Sequence, residues 1–166
     1  MLNNLTECLE EIHTSHFFIK DGDDGETAFI DVNHGEFEVI NNSHNSIHFL
    51  KTDSCVYNSN DGKRCDCIIY NENTFCFVEL KCMKLKNFSK KRKEAEKQLE
   101  LTIKDFKNES IIKNKILEAY SCCNCYIKYN DNYEAITTKP KNHEKVTYFE
   151  EELNTTLLCN TKKEFN

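Results

Sequence analysis

Two apolar runs on either side of a short polar turn constrain this chain most. Cys65-Asp66-Cys67-Ile68-Ile69-Tyr70 leads into Asn71-Glu72-Asn73-Thr74 and then Phe75-Cys76-Phe77-Val78-Glu79-Leu80-Lys81. β-Branched and aromatic residues around an Asn-rich turn predict a β-hairpin. With the turn centred on Glu72-Asn73, Tyr70 faces Phe75, Ile68 faces Phe77 and Asp66 faces Glu79. Directly opposed residues carry Cβ atoms roughly 4.5–5.5 Å apart. Alternation puts Asp66, Glu79 and Lys81 on one face and Leu80 on the other. Two carboxylates so close repel unless a proton or a divalent cation lies between them, and Lys81 offsets only part of that charge. Such a cluster at the end of buried strands points to metal or phosphate chemistry.

Glu-x-Lys alone is a common tripeptide, and its ordinary role is an exposed ion pair at a strand end. Three neighbours give it weight here. Asp66 lies in register on the preceding strand, the strands are otherwise apolar, and a basic segment follows with Lys84, Lys86, Lys90, Lys91, Arg92, Lys93 and Lys97. Cations at a helix start oppose the macrodipole, so local structure does not account for them. Behind them Ala95, Leu99, Thr102, Ile103 and Phe106 recur at helical spacing, and Gln98 falls beside that stripe.

This conjunction resembles the PD-(D/E)XK nuclease superfamily, whose pattern is an Asp on one core strand, Glu-x-Lys on the next, and then a helix. It is especially similar to small mobile-element and phage-type members that read Lys-x-Cys-Asp, Glu-Leu-Lys and Gln-Leu. The matching residues are Asp66, Glu79, Lys81 and Gln98, within roughly residues 45–130. Cys65 stands where many members carry proline. The resemblance implies an α/β fold with a restriction-endonuclease-like core (αβββαβ), a central mixed β-sheet flanked by helices. It implies that Asp66, Glu79 and the Leu80 carbonyl hold Mg²⁺, with Mn²⁺ as a substitute. Lys81 then orients water or stabilises developing charge, and Gln98 positions Lys81 or a water. The implied activity is phosphodiester hydrolysis, with DNA the usual substrate and RNA open. Phosphates would pass along Lys84, Lys86, Lys90, Lys91, Arg92 and Lys93. A homodimer or a partner protein fits the resemblance, since no separate recognition domain is evident. The competing readings are a non-catalytic or partner-dependent nucleic-acid-binding module on the same fold, and an unrelated α/β protein.

At 166 residues one domain is expected, with an N-terminal helix and strands in 1–45, a catalytic core in 46–130 and a helix/strand extension in 131–166. The net charge of −6 excludes a globally basic nucleic-acid binder, so contact must rest on a local patch. No signal-peptide pattern opens the chain, and no apolar run reaches the roughly 20 residues of a membrane span. The expectation is a cytoplasmic chain whose ten cysteines are mostly reduced. Cys55, Cys65, Cys67, Cys76 and Cys125 read as small apolar strand residues. Cys122 and Cys125 have chelate spacing, but on a strand they point to opposite faces.

Elsewhere, residues 2–13 read as an amphipathic helix, with Glu10 or Glu11 as a candidate further carboxylate. Asp21 to Glu26 is a loop without the spacing of a calcium site. Short strands are expected at 27–32, 35–40 and 46–51. Ser54 to Asn58 is expected as the first core strand, with Asp53 at its start. A short helix is expected at 111–117, a buried strand at 120–129, and a loop at Pro140. A closing helix over 143–153 and a last edge strand over 155–159 complete the reading.

Overall fold

The computed structural model describes residues 5–22, 26–43, 45–58, 60–83, 87–129, 132–136 and 143–166, with the side chains of 82–83, 124–129 and 132–136 set aside. In chain order the strands are β1 (Leu9–Ile12), β2 (His16–Lys20), β3 (Phe29–Asp31), β4 (Phe37–Asn41), β5 (Ile47–Lys51), β6 (Cys67–Tyr70) and β7 (Thr74–Met83). Helix α1 (Phe88–Phe106) follows, then β8 (Ile116–Tyr129), β9 (Asn132–Ile136), α2 (His143–Leu153), β10 (Thr156–Leu158) and β11 (Lys162–Phe165).

The strands form two mixed sheets. The larger runs β1-β5-β6-β7-β8-β10, with β9 also paired to β8; the smaller runs β11-β4-β2-β3. β5, β6 and β7 pair antiparallel as a meander. β7 and β8 pair parallel, and a parallel pair needs a long crossover, which α1 supplies. Alternation along the strands fills two cores. On one face Ile68, Tyr70, Phe75 and Phe77 pack with Leu99, Ile103 and Phe106 of α1 and with Phe149 and Leu153 of α2. On the other face Cys67, Ile69, Cys76, Val78 and Leu80 pack with Phe17, Ile19, Phe37 and Val39 of the smaller sheet. The protein is thus α/β, but the larger sheet carries helices on one face and a second sheet on the other, not helices on both.

The hairpin has the expected register. Tyr70 pairs with Phe75 and Ile68 with Phe77. The Asn71 side chain accepts hydrogen bonds from the Asn73 N–H at 2.9 Å and the Thr74 N–H at 2.8 Å, an Asx-type turn that fixes the pairing. Helix α1 buries Ala95, Gln98, Leu99, Thr102, Ile103 and Phe106, the expected stripe with Gln98 included.

Several expectations are corrected. Residues 5–8 form a turn and Leu9–Ile12 the edge strand β1, where a helix was expected. Antiparallel pairing with β5 and a disulfide from Cys8 to Cys55 outweigh a short helical periodicity. Ser54–Val56 is a turn, not a strand, with Ser54 at φ 59° in the left-handed region; the strand beside β6 is β5. Cys55 is therefore a disulfide partner and not a strand filler, while Cys65, Cys67, Cys76, Cys123 and Cys159 are free thiols. The segment 111–117 has a 3-10 turn at Ser110–Ile112 and then enters β8, with Asn114 at φ 62° turning the chain. β10 is not last, because β11 follows and pairs parallel with β4 in the other sheet. Pro140 lies outside the described residues, and among the described residues no helix is long and apolar enough to cross a membrane.

Candidate functional site

The α1-facing side of β7 runs Phe75, Phe77, Glu79, Lys81, passing from apolar core to charge along one strand. Glu79 is fully buried, and Lys81 pairs with it through Nζ and Oε1. Lys81 is thus the partner of Oε1, while Oε2 of Glu79 has none among the described residues. Asp66, just before β6 and 8 % exposed, accepts the Leu80 N–H at 2.6 Å through Oδ2. Asp66, Glu79 and Lys81 therefore meet where the hairpin register puts them, and Leu80 turns to the opposite core.

Burial sets the charges. It pushes the Asp66 carboxyl up to about 7, against the pull of the Lys81 charge and the Leu80 N–H. Burial, reinforced by the Asp66 charge, raises Glu79 well above the usual carboxylate range. Burial pulls the Lys81 ammonium down, but the charges of Glu79 and Asp66 outweigh it and leave Lys81 raised. Such a pair is costly as a bare arrangement and is relieved by a proton or a cation.

One face of α1 fastens the segment leading into Asp66. Gln98 Nε2 donates to the Arg64 carbonyl at 3.0 Å, Thr102 Oγ1 accepts the Cys65 N–H at 2.9 Å, and Asp105 accepts Arg64 Nε at 2.7 Å. Gln98 thus meets the backbone ahead of Asp66. The loop after β5 holds the same segment from behind: the Thr52 and Asp53 N–H groups donate to the Asp66 carbonyl at 3.1 and 3.4 Å. Asp53 is close enough for its charge to raise Asp66.

Three residues near the site were not read from the sequence. On β8, Ser121 pairs in register with Glu79 and Cys123 with Lys81, and their side chains lie 3.3 Å apart on the α1 side. Asp21, in the loop after β2, is near enough that its charge raises Asp66 and Glu79. Gly22 beside it has no room for a Cβ, which would fall 2.4 Å from the Glu26 carbonyl oxygen. No local signal announces these neighbours, because strand register across a crossover and sheet-on-sheet packing create them.

Glu10 and Glu11 are engaged at the far edge of the larger sheet, Glu10 with Lys51 and Glu11 with Ser46. Of the basic segment, Lys84 and Lys86 lie outside the described residues. Lys90 and Lys93 are exposed, and Lys91 pairs with Glu94 at 2.8 Å. Arg92 is turned inward onto buried Glu96 at 2.9 Å, an i,i+4 pair that takes it out of the exposed patch.

The donors that meet here are hard oxygens. Among the described residues, no three acidic, histidine or cysteine side chains gather closely enough to hold an ion by themselves. The set is two carboxylates with the Leu80 carbonyl nearby in the chain, a pattern suited to an ion that keeps waters and takes ligands from phosphate. The chain matches no family model, no curated protein and no solved structure.

Proposed function

We propose that this chain is a Mg²⁺-dependent nuclease of the PD-(D/E)XK type, hydrolysing phosphodiester bonds in DNA. The observation that carries the reading is the buried Glu79 carboxylate. Lys81 meets its Oε1, its Oε2 has no partner among the described residues, and it faces the Asp66 side of a fixed hairpin. A buried carboxylate with an unpartnered oxygen fits a hard divalent cation. Asp66, Glu79 and the Leu80 carbonyl would hold Mg²⁺, with Mn²⁺ as a substitute. When bound, such an ion acidifies water and polarises a phosphate oxygen. Lys81 stays charged and offers an ammonium to negative charge developing on the phosphate. Gln98, Thr102 and Asp105 act through Arg64 and Cys65 as positioning residues that keep Asp66 in place.

The order β5, β6, β7, α1, β8 supports a restriction-endonuclease-like core, lacking its leading helix among the described residues. Free thiols at Cys65, Cys67, Cys76, Cys123 and Cys159 are in keeping with a cytoplasmic protein, the Cys8–Cys55 bridge being the exception.

The test is cleavage of supercoiled plasmid, single-stranded DNA and RNA with Mg²⁺, Mn²⁺ or EDTA. Cleavage that needs the metal and is lost in Asp66→Ala and Lys81→Ala is expected. Cleavage by either variant at the wild-type rate overturns the proposal. Metal-dependent DNA binding without cleavage would assign a non-catalytic binding role instead.

A further inference from the structure

A groove beside α1 is lined by Lys63, Lys91, Glu94, Lys97, Gln98 and Leu101, and has a volume of about 510 Å³. Its charge comes from two separate pieces of chain. Lys91 and Lys97 stand on α1, and Lys63 stands three residues before Asp66. Its single acid, Glu94, is already paired with Lys91. Lys63 and Lys97 are exposed and make no ion pair among the described residues. Two uncommitted ammonium groups therefore flank the groove, which suits a polyanion and not an apolar ligand.

The groove is also mechanically tied to the candidate site. Gln98, which lines it, donates to the Arg64 carbonyl, and Arg64 links Lys63 to the Cys65-Asp66 segment. A group held there sits one short step along the chain from the carboxylates. We infer that this groove binds the phosphate backbone of the nucleic acid on one side of the scissile phosphate, with Lys63 and Lys97 as its phosphate contacts. The inference rests on the nuclease reading and deepens it. It also moves the phosphate track: Arg92 is excluded by its pairing with Glu96, and Lys63, far from the basic run in sequence, is included. Phosphate contacts position without reading sequence, so DNA and RNA should lean on the groove alike.

The experiment measures binding of a fluorescent DNA oligonucleotide, and of the RNA of the same sequence, in Ca²⁺ at several salt concentrations. Wild type is compared with Lys63→Glu/Lys97→Glu, with the conservative Lys63→Arg/Lys97→Arg, and with a charge-matched control, Lys107→Glu/Lys113→Glu. Mg²⁺ binding without nucleic acid is titrated in parallel. The expected result is an affinity loss of about tenfold or more in the groove Glu variant, with a salt slope shallower by roughly one to two ions. The Arg variant and the control should bind like wild type, and Mg²⁺ binding should persist in all. Oligonucleotide binding unchanged in Lys63→Glu/Lys97→Glu overturns the groove while leaving the nuclease reading intact if wild type still cleaves. Wild type that binds neither nucleic acid overturns both readings together.

Discussion

The larger sheet carries a carboxylate–lysine pair on each of its faces, and the two are built differently. Between the sheets, Glu118 of β8 accepts Lys163 at 2.9 and 2.7 Å and the Tyr120 hydroxyl at 2.6 Å, with the Cys76 thiol at 3.4 Å. Burial pushes Glu118 up, but these partners outweigh it and hold it below the usual carboxylate range. Against α1, Glu79 is more deeply buried, has Lys81 as a charge partner, and faces the like charge of Asp66. Its carboxyl is pushed up, not down. Glu118 is a finished internal bridge that ties β8 to β11. Glu79 is unfinished: its Oε2 has no partner among the described residues and a second carboxylate faces it. Burial and a lysine partner are common to both, so neither marks function; the unpartnered Oε2 and the second carboxylate do.

Breaking each pair should have opposite consequences. Glu118→Ala leaves the partly buried Lys163 without its carboxylate and should cost roughly 1–3 kcal/mol in urea unfolding. Asp66→Asn should instead stabilise the metal-free protein at neutral pH by about 2–4 kcal/mol, because a carboxylate charge that burial disfavours is removed. If both changes destabilise equally, the contrast between the two sites is wrong.

A smaller effect is expected at the bridge behind the site. Reduction of Cys8–Cys55, or Cys8→Ala/Cys55→Ala, should lower stability by about 2–3 kcal/mol, readable as a lower thermal midpoint. Thr102→Val removes the acceptor of the buried Cys65 N–H and should cost about 1–2 kcal/mol while slowing cleavage, since the segment it fastens carries Asp66.

The pH response sharpens the comparison further. Asp66 reaches about 7 in the folded protein and has an ordinary value of about 4 unfolded. Between those values the folded state keeps a proton that the unfolded state has released. Its stabilising contribution is therefore intact below about 4 and is lost as pH rises through 7. Glu118 has the opposite sign: its contribution is present above the ordinary carboxylate value and is lost as pH falls through its lowered folded value. Metal-free wild type should lose stability from pH 5 to 7.5, and Asp66→Asn should flatten that slope.

The hairpin was legible because Asn71 and the alternation of Ile68, Tyr70, Phe75 and Phe77 specify one register locally. The α1 stripe was legible for the same reason, since Ala95, Leu99, Ile103 and Phe106 keep one period. Leu9–Ile12 was misread because four residues can satisfy a helical or an extended pattern, and pairing with β5 decides. β3, β4 and β5 were recognised as strands, yet nothing local says that β2, β3 and β4 cover the sheet face opposite α1. Asp21, Ser121 and Cys123 reach the site through that packing and through the parallel register of β8. The partnership of Cys8 with Cys55 cannot be deduced from cysteine spacing.

The most direct measurement is calorimetric titration of Mg²⁺ and Mn²⁺ into metal-free wild type, Asp66→Asn, Glu79→Gln and Glu118→Gln at pH 7.5. The account predicts binding by wild type and Glu118→Gln, and its loss in Asp66→Asn and Glu79→Gln. Absence of binding by folded wild type, or wild-type affinity in Asp66→Asn and Glu79→Gln, contradicts the claim that the unfinished carboxylate pair is a metal site.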